Sequence, residues 1–215
     1  MKAGSARRRP TPRRCRWVAF DLGGVLYDVD SDRYFDLAAR TFGVSRQDIG
    51  RATFDADCWQ LAECGQLDGA GFLEAVLTRL GVAPGASAAA ELRRCWNAML
   101  CLRPGARELL ARLTRPAVAW SNTDPVHGAA IAAVLTPDLD WNHSTLSCSI
   151  GAEKPQPHFF QQALARLASA PERVCFVDDR PENVAAAAAL GIDAYVCSSL
   201  AAVRTGLGAR GLLAS

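Results

Sequence analysis

The chain contains the stretch WVAFDLGGVLYDVD at residues 17–30. An apolar run over residues 17–20 leads directly into Asp21 and then into Gly23 and Gly24. The run predicts a buried strand, and the two glycines allow a tight turn and a close approach of the backbone to a ligand. Ligands of open parallel sheets bind beyond the carboxyl ends of the strands. The stretch therefore predicts either an acid at a ligand site or, with equal weight, a strand that ends in a turn-forming Asp.

Length and composition bound the class of protein. With 215 residues, half of them hydrophobic, we expect one large domain or one domain with a smaller inserted one. No apolar run approaches the roughly 18 to 20 residues that span a bilayer, and the N-terminus lacks the apolar segment of a signal peptide. A soluble, cytoplasmic protein with no membrane contact is expected. The eight cysteines have no C-x-x-C spacing, so we expect no zinc site and reduced, mostly buried thiols.

The first sixteen residues hold one Lys and six Arg and no acid. They predict a disordered basic tail, interpreted as a solvated extension or an over-long start, whereas contact with RNA or anionic lipid is less favoured and a transit peptide is a further alternative. Without these charges the net charge changes from +2 to about −5. The net positive charge of the chain therefore comes from the tail, and no nucleic-acid partner is expected.

A helical pattern replaces the strand pattern from residue 31 to about residue 101. Apolar residues recur at helical spacing, and Gly43 and Gly81 stand where helices would end. Trp59 could line a pocket, although a core position is favoured. Helices with no strand between them predict a small bundle inserted after the first strand. The expected division is a tail at 1–16, a core domain at 17–28 and 103–215, and a helical cap at 29–102.

Strands and helices alternate in the rest of the chain. Predicted strands lie at residues 117–120, 145–148, 173–177 and 193–196, with helices between them. The alternation predicts an α/β fold with a doubly wound parallel sheet. Polar residues follow two of the strands, as S-N-T-D at 121–124 and D-D at 178–179, and Lys154 lies in the loop G-A-E-K-P.

The predicted strand ends and this loop would bring one set of polar residues together. The set comprises Asp21, Ser121, Asn122, Lys154, Asp178 and Asp179. Three carboxylates suit a hard divalent cation such as Mg2+. A cation, a lysine and hydroxyl or amide donors around one acidic nucleophile indicate phosphoryl transfer through an aspartyl-phosphate.

The four segments F-D-L-G-G-V, S-N-T-D, E-K-P and V-D-D-R-P-E-N closely resemble the four motifs of the haloacid dehalogenase (HAD) superfamily. The helical insertion resembles the C1-type cap of subfamily I, and the likeness extends from residue 17 to about residue 203. The resemblance implies a Rossmann-like core and a Mg2+ cofactor. It also implies roles for individual residues: Asp21 as nucleophile and metal ligand, Ser121 and Asn122 as phosphate binders, Lys154 as charge stabiliser and phosphate contact, Asp178 as metal ligand, and Asp179 as the residue that orients metal-bound water.

Position 23 departs from the family pattern. The superfamily's first motif is usually D-x-D, and its second Asp serves as general acid and base, whereas this chain has Gly23. The carbonyl of Gly23 could still ligate Mg2+, but the missing proton shuttle would matter by roughly two to four orders of magnitude in rate. Members that resemble sugar-phosphate phosphatases, including α-glucose 1-phosphate phosphatases, carry the same D-L-G pattern. A sugar 1-phosphate would depend less on the lost acid, because its anomeric oxygen leaves readily.

Three classes of function are compatible with these residues. A Mg2+-dependent phosphatase of a small phosphorylated metabolite is favoured, with sugar phosphates preferred and the chain acting as a monomer or weak homodimer. A 2-haloacid dehalogenase is disfavoured, because those relatives act without metal and this chain keeps Asp178 and Asp179. A non-enzymatic binder of a phosphorylated ligand or a protein is disfavoured because the other charged site residues are retained.

Overall fold

The computed structural model describes residues 15–55 and 57–214. Its centre is a parallel five-stranded sheet with the order β5-β4-β1-β6-β7. The strands are β1 (Trp17–Phe20), β4 (Ala117–Ser121), β5 (Thr145–Leu146), β6 (Val174–Asp178) and β7 (Asp193–Val196). Every residue of β1, β4 and β6 is buried, as expected for strands covered on both faces. The predicted doubly wound α/β fold is confirmed.

Helices follow the strands and cover both faces of the sheet. They are α6 (Ala106–Ala111), α7 (Pro125–Leu135), α8 (Ser147–Ile150), α9 (Pro157–Arg166), α10 (Pro181–Ala189) and α11 (Leu200–Gly208). Pro stands at the start of α7, α9 and α10, where its missing N–H costs no hydrogen bond. Two separate apolar clusters form, one centred on Phe20 and Val177 and the other on Trp120 and Phe176.

Five helices lie between β1 and α6 in the described part of the sequence. They are α1 (Ser31–Phe42), α2 (Arg46–Thr53), α3 (Cys58–Glu63), α4 (Gly69–Arg79) and α5 (Ala86–Asn97). A third apolar cluster, built around Tyr34, Phe72 and Trp96, holds them together. Gly43 ends α1 with a φ of 68°, as its predicted stop requires. We refer to these five helices as the cap.

Two short strands connect the cap to the sheet. β2 (Tyr27–Val29) pairs antiparallel with β3 (Leu100–Leu102), so the two segments that link the cap to the sheet lie side by side. The sequence predicts a helical pattern to about residue 101, but α5 ends at Asn97 and Leu100 lies in a strand, where it pairs with Val29. A second correction concerns residues 145–148, where the strand ends at Leu146 and a helical turn begins at Ser147. The proposed domain boundary at 28/29 falls within β2, and the one at 102/103 falls at the end of β3.

The predicted basic tail lies mostly outside the described residues, which begin at Cys15. Its last two residues belong to the fold, because Cys15 packs against the core and the N–H of Arg16 donates to the carbonyl of Arg173 at 2.7 Å. The tail prediction is therefore wrong for these two positions. All eight cysteines are free thiols, four buried and four half-buried. Among the described residues, no helix has the length and apolar character needed to cross a membrane.

Candidate active site

The carboxyl ends of three neighbouring strands supply the first part of the site. β1 lies between β4 and β6, in parallel with both, so that Phe20 pairs with Ala119 on one side and with Val177 on the other. Asp21 directly follows β1, while Ser121 and Asp178 end the flanking strands. The sheet topology therefore places one polar side chain from each strand at the same edge, as the sequence predicts.

One oxygen of Asp21 is fully engaged and the other is not. Oδ1 accepts hydrogen bonds from the Ser121 hydroxyl and the Leu22 N–H, both at 2.7 Å, and lies 3.0 Å from the Lys154 Nζ. Within the described part of the chain no group donates to Oδ2. These contacts fix the orientation of the carboxylate and leave its second oxygen available for chemistry or for a ligand.

Lys154 is buried and bridges two acids. Its Nζ lies 2.7 Å from Asp178 Oδ2 as well as 3.0 Å from Asp21 Oδ1. Its backbone is held by Asn122, whose Oδ1 accepts from the Lys154 N–H at 2.8 Å and whose Nδ2 donates to the Lys154 carbonyl at 2.9 Å. These bonds use Oδ1 and one of the two N–H groups of Nδ2, so Asn122 supports Lys154, and its predicted contact with phosphate stays a prediction for the second N–H.

Two adjacent acids, Asp178 and Asp179, lie just before α10. Asp178 accepts from the Arg180 N–H at 2.8 Å and from Asn183 Nδ2 at 3.0 and 3.1 Å. Asp179 is half-buried and lies so close to Gly24 that a Cβ on that glycine would overlap its carboxylate. Gly24 also has a φ of 73°, so this position requires glycine for both reasons.

The carboxylate cluster fits a divalent cation. Oxygens of Asp21, Asp178 and Asp179 lie within 4.8 Å of one another. Burial, reinforced by the charge of Asp178, raises the pKa of Asp21 against the opposing effects of Lys154 and Ser121. Burial and Asp178 likewise raise the pKa of Asp179. Three ionised carboxylates and one ammonium leave an excess of two negative charges, and an all-oxygen donor set is the one that Mg2+ prefers.

A cavity of about 300 Å³ opens beside these acids, between the cap and the sheet. Its floor includes Gly23, Ser121 and Asn122. Its walls are mostly apolar and come from both domains: Leu22, Val29, Phe54, Trp59, Trp96, Met99, Leu100 and Ile131. Trp59 also packs on the cap core against Phe54, with ring centroids 5.5 Å apart. Both alternatives for Trp59 therefore apply, since it contributes to the core and to the pocket.

A buried polar cluster joins the cap to the core at this cavity. Trp96 of α5 donates from Nε1 to Asp124 Oδ2 at 3.1 Å and stacks on His127 with ring centroids 4.6 Å apart. His127 Nδ1 lies 2.9 Å from Asp124 Oδ2, and its Nε2 lies 3.1 Å from the Trp96 carbonyl. Burial alone would raise the pKa of Asp124, but the hydrogen bonds and charge of His127 lower it overall. The sequence marked Asp124 only as part of a polar cluster at a helix start and did not connect it to Trp96.

Two acids that could have replaced the missing one at position 23 lie elsewhere. Asp28 is exposed and pairs with Arg103 at 2.7 Å. Asp30 accepts from the Arg33 N–H and so caps α1. Neither lines the cavity, whereas Glu63, at the end of α3, does. In the sequence only its spacing of four residues from Trp59 indicated that Glu63 shares a helix face with a pocket residue.

A family model for haloacid dehalogenase-like hydrolases matches residues 15–191, most of the chain. This protein is a haloacid dehalogenase-like hydrolase. The resemblance inferred from the four motifs is therefore confirmed at the level of the superfamily. It follows that the chain is an enzyme of the hydrolase class.

Proteins similar to this HAD-like hydrolase include one phosphatase in sequence and several HAD enzymes in fold. It is 28% identical over 192 residues to a sesquiterpene phosphatase of Aspergillus oryzae, covering 85% of this chain and 90% of the relative. A HAD family enzyme of Bacteroides thetaiotaomicron, solved with magnesium and inorganic phosphate, superposes with a TM-score of 0.73 at 21% identity, over 85% of this chain and 93% of that one. The L-2-haloacid dehalogenase of Xanthobacter autotrophicus, with chloropropionic acid covalently bound, superposes with a TM-score of 0.60 at 24% identity, over 93% and 85%. The two structures show a shared fold.

Proposed function

We propose that this HAD-like hydrolase is a Mg2+-dependent phosphatase that forms an aspartyl-phosphate on Asp21. The proposal rests mainly on the groups that contact the Asp21 carboxylate. Its Oδ1 is held by the Ser121 hydroxyl and the Lys154 ammonium, and its Oδ2 remains free as a nucleophile. A carboxylate held in this way attacks without reorganising its neighbours, which lowers the barrier.

Two steps follow from this arrangement. In the first, Asp21 Oδ2 forms a bond to phosphorus while the bond from phosphorus to the ester oxygen breaks, and the alcohol leaves with a proton. In the second, a water molecule forms a bond to phosphorus, the bond from phosphorus to Asp21 Oδ2 breaks, and a base takes up one proton from the water. Two N–H groups of the Lys154 ammonium point to Asp21 and Asp178, and its third can donate to a phosphoryl oxygen as negative charge develops there, while the Ser121 hydroxyl keeps Asp21 Oδ1 in place.

Mg2+ would be held by Asp21, Asp178, Asp179 and the carbonyl of Gly23, and it supplies positive charge that offsets the charge on the phosphoryl group. The excess of negative charge at the acid cluster supports this assignment. Retention of both Asp178 and Asp179 also favours a phosphatase over a metal-independent 2-haloacid dehalogenase.

For the substrate we propose a phosphate monoester with a largely apolar organic group. The cavity beside Asp21 is walled by the rings of Phe54, Trp59 and Trp96 and by aliphatic side chains. The similarity to a sesquiterpene phosphatase supports the same choice. Burial of an apolar group contributes roughly 0.8 kcal/mol per methylene, so the walls favour such a group over a hydrated one.

A sugar phosphate is the second candidate, on the grounds that an anomeric oxygen leaves readily. Sugar hydroxyls need hydrogen-bond partners when they lose water. Three of the polar residues around the cavity, Asn122, Asp124 and His127, already use their side chains in bonds within the protein. Because these side chains already bond within the protein, they offer little to sugar hydroxyls, and the cavity favours the apolar substrate.

Phosphate release from two series of substrates tests the proposal. The first series runs from ethyl to octyl phosphate and adds farnesyl phosphate, and the second contains glucose 1-phosphate and glucose 6-phosphate, each with Mg2+ and with EDTA. We expect kcat/KM to rise along the alkyl series by up to roughly fourfold per methylene and to vanish in EDTA.

A preference for the glucose phosphates would select the second candidate. Halide release from 2-chloropropionate in EDTA, with no phosphate release from any ester, would contradict the phosphatase proposal altogether.

A further inference from the structure

The first step of the proposed reaction needs a proton donor. When an unactivated alkyl ester is cleaved, its oxygen leaves with a full negative charge unless an acid protonates it in the transition state. Gly23 carries no side chain, and Asp28 and Asp30 are engaged away from the cavity. The donor must therefore come from another ionisable side chain that faces the substrate.

Three ionisable side chains line the cavity: Glu63, Asp124 and His127. Asp124 accepts from two backbone N–H groups, from Trp96 and from His127. Both ring nitrogens of His127 are also engaged, one with Asp124 and the other with the Trp96 carbonyl. Use of either residue as a proton donor would break the contact that joins cap to core.

Glu63 is the remaining candidate, and its carboxylate is unpaired within residues 15–55 and 57–214. It ends α3 on the cap and faces the same cavity as Gly23 and Ser121. The end of α3 is anchored to the core next to the catalytic lysine, because the Cys64 thiol donates to Glu153 Oε1 at 3.1 Å. Glu63 is therefore held over the site rather than on a free helix end.

The surroundings of Glu63 favour its protonated form near neutral pH. Burial raises the pKa of Glu63 to about 7, the negative charges of Glu153, Asp124 and Asp21 act in the same direction, and Arg180 opposes them. The neighbouring thiols of Cys64 and Cys148 stay neutral, since the pKa of each is raised to about 11. A carboxylic acid in this range can both donate and accept a proton at neutral pH.

We propose that Glu63 is the general acid and base of the reaction, supplied by the cap in place of a side chain at position 23. This inference rests on the phosphatase proposed above. In the first step the Glu63 proton passes to the ester oxygen as its bond to phosphorus breaks. In the second step the Glu63 carboxylate takes a proton from the water that attacks phosphorus, which restores the acid.

The test compares Glu63→Gln with the wild type on octyl phosphate and 4-nitrophenyl phosphate. The amide keeps the shape of the side chain and cannot donate or take up the proton. Octyl oxygen is a poor leaving group, so we expect kcat/KM on octyl phosphate to fall by roughly 10²- to 10⁴-fold. On 4-nitrophenyl phosphate, whose leaving group needs no proton, the fall should be below about tenfold. Glu74→Gln, an exposed acid on the same cap, is the matched control and should change neither rate.

The pH profile provides an independent readout. Because only protonated Glu63 donates, kcat/KM of the wild type on octyl phosphate should fall as the pH rises through about 7, and Glu63→Gln should lack this limb. Equal losses on both substrates, or no loss on either, in a variant with an unchanged melting temperature would overturn the role of Glu63. Absence of phosphate release by the wild type from every ester would instead overturn the phosphatase proposal on which the inference rests.

Discussion

The side chain of Asn122 holds the backbone of Lys154 through two hydrogen bonds. Asn122 Oδ1 accepts from the Lys154 N–H at 2.8 Å, and Asn122 Nδ2 donates to the Lys154 carbonyl at 2.9 Å. The loop that carries Lys154 is thereby tied to the end of β4. This tie explains how a lysine in a loop is held with its ammonium between Asp21 and Asp178.

Asn122→Ala should therefore impair the enzyme through Lys154. Loss of two hydrogen bonds to backbone groups costs about 2 to 3 kcal/mol of stability, and kcat should fall by roughly ten- to a hundredfold as Lys154 loses its position. Thermal unfolding and phosphate release measure the two effects. Asn142→Ala, at an exposed position, is the control. A fully active Asn122→Ala variant would show that Lys154 needs no such support.

Binding of Mg2+ should be visible without any substrate. Because the ion binds only the folded site, saturating Mg2+ should raise the melting temperature of the wild type by several degrees. Asp179→Asn removes one of the three clustered carboxylates and should weaken this rise. Asp28→Asn, at an exposed acid paired with Arg103, should leave the rise intact. The same rise in Asp179→Asn as in the wild type would exclude Asp179 as a ligand.

The sequence predicted the sheet and the strand-end residues because both follow from local rules. A buried run followed by a polar residue places Asp21, Ser121 and Asp178 at one edge, whatever packs around them. The role of Asn122 depends on a loop that lies 32 residues further along the chain, and no local pattern indicates it. The position of Glu63 over the cavity and the contact of Trp96 with Asp124 depend on how the cap docks, which is a property of tertiary packing.

The buried contact between Asp124 and His127 should stabilise the protein far more than its exposed counterpart. Asp140 and His143 have the same spacing and a similar distance of 2.8 Å, but both are partly exposed. Asp124→Asn should cost about 3 kcal/mol of unfolding free energy, because it leaves buried partners without a carboxylate. Asp140→Asn should cost less than about 1 kcal/mol. Equal costs in urea unfolding would contradict the role of burial.

The contribution of Asp124 should also depend on pH. Its folded-state pKa is lowered, so the stabilisation is present above the unfolded pKa of about 4 and is lost as the pH falls through the folded value. The difference in stability between wild type and Asp124→Asn should therefore shrink only below about pH 4. A difference that already shrinks between pH 7 and pH 5 would contradict this assignment.

Position 23 should accept the acid that the D-x-D pattern would place there. Gly23 lies outside the left-handed region, and a Cβ would make an ordinary contact with Val29 at 3.5 Å. Gly23→Asp added to Glu63→Gln should restore at least about tenfold of the octyl phosphate activity, because the new carboxyl can donate the proton. Gly24→Ala, whose Cβ meets Asp179, should instead lose activity. A double variant no better than Glu63→Gln would show that a side chain at position 23 does not reach the ester oxygen.

Phosphate release by Asp21→Asn, with Mg2+ and 4-nitrophenyl phosphate, tests the central claim most directly. The amide oxygen can still accept from Ser121 and Leu22, so the variant should fold. Because the substitution removes a buried charge, the melting temperature should not fall. With no carboxylate to attack phosphorus, we predict a loss of at least about 10³-fold in kcat. A folded Asp21→Asn protein that releases phosphate at a rate near that of the wild type would contradict the aspartyl-phosphate mechanism.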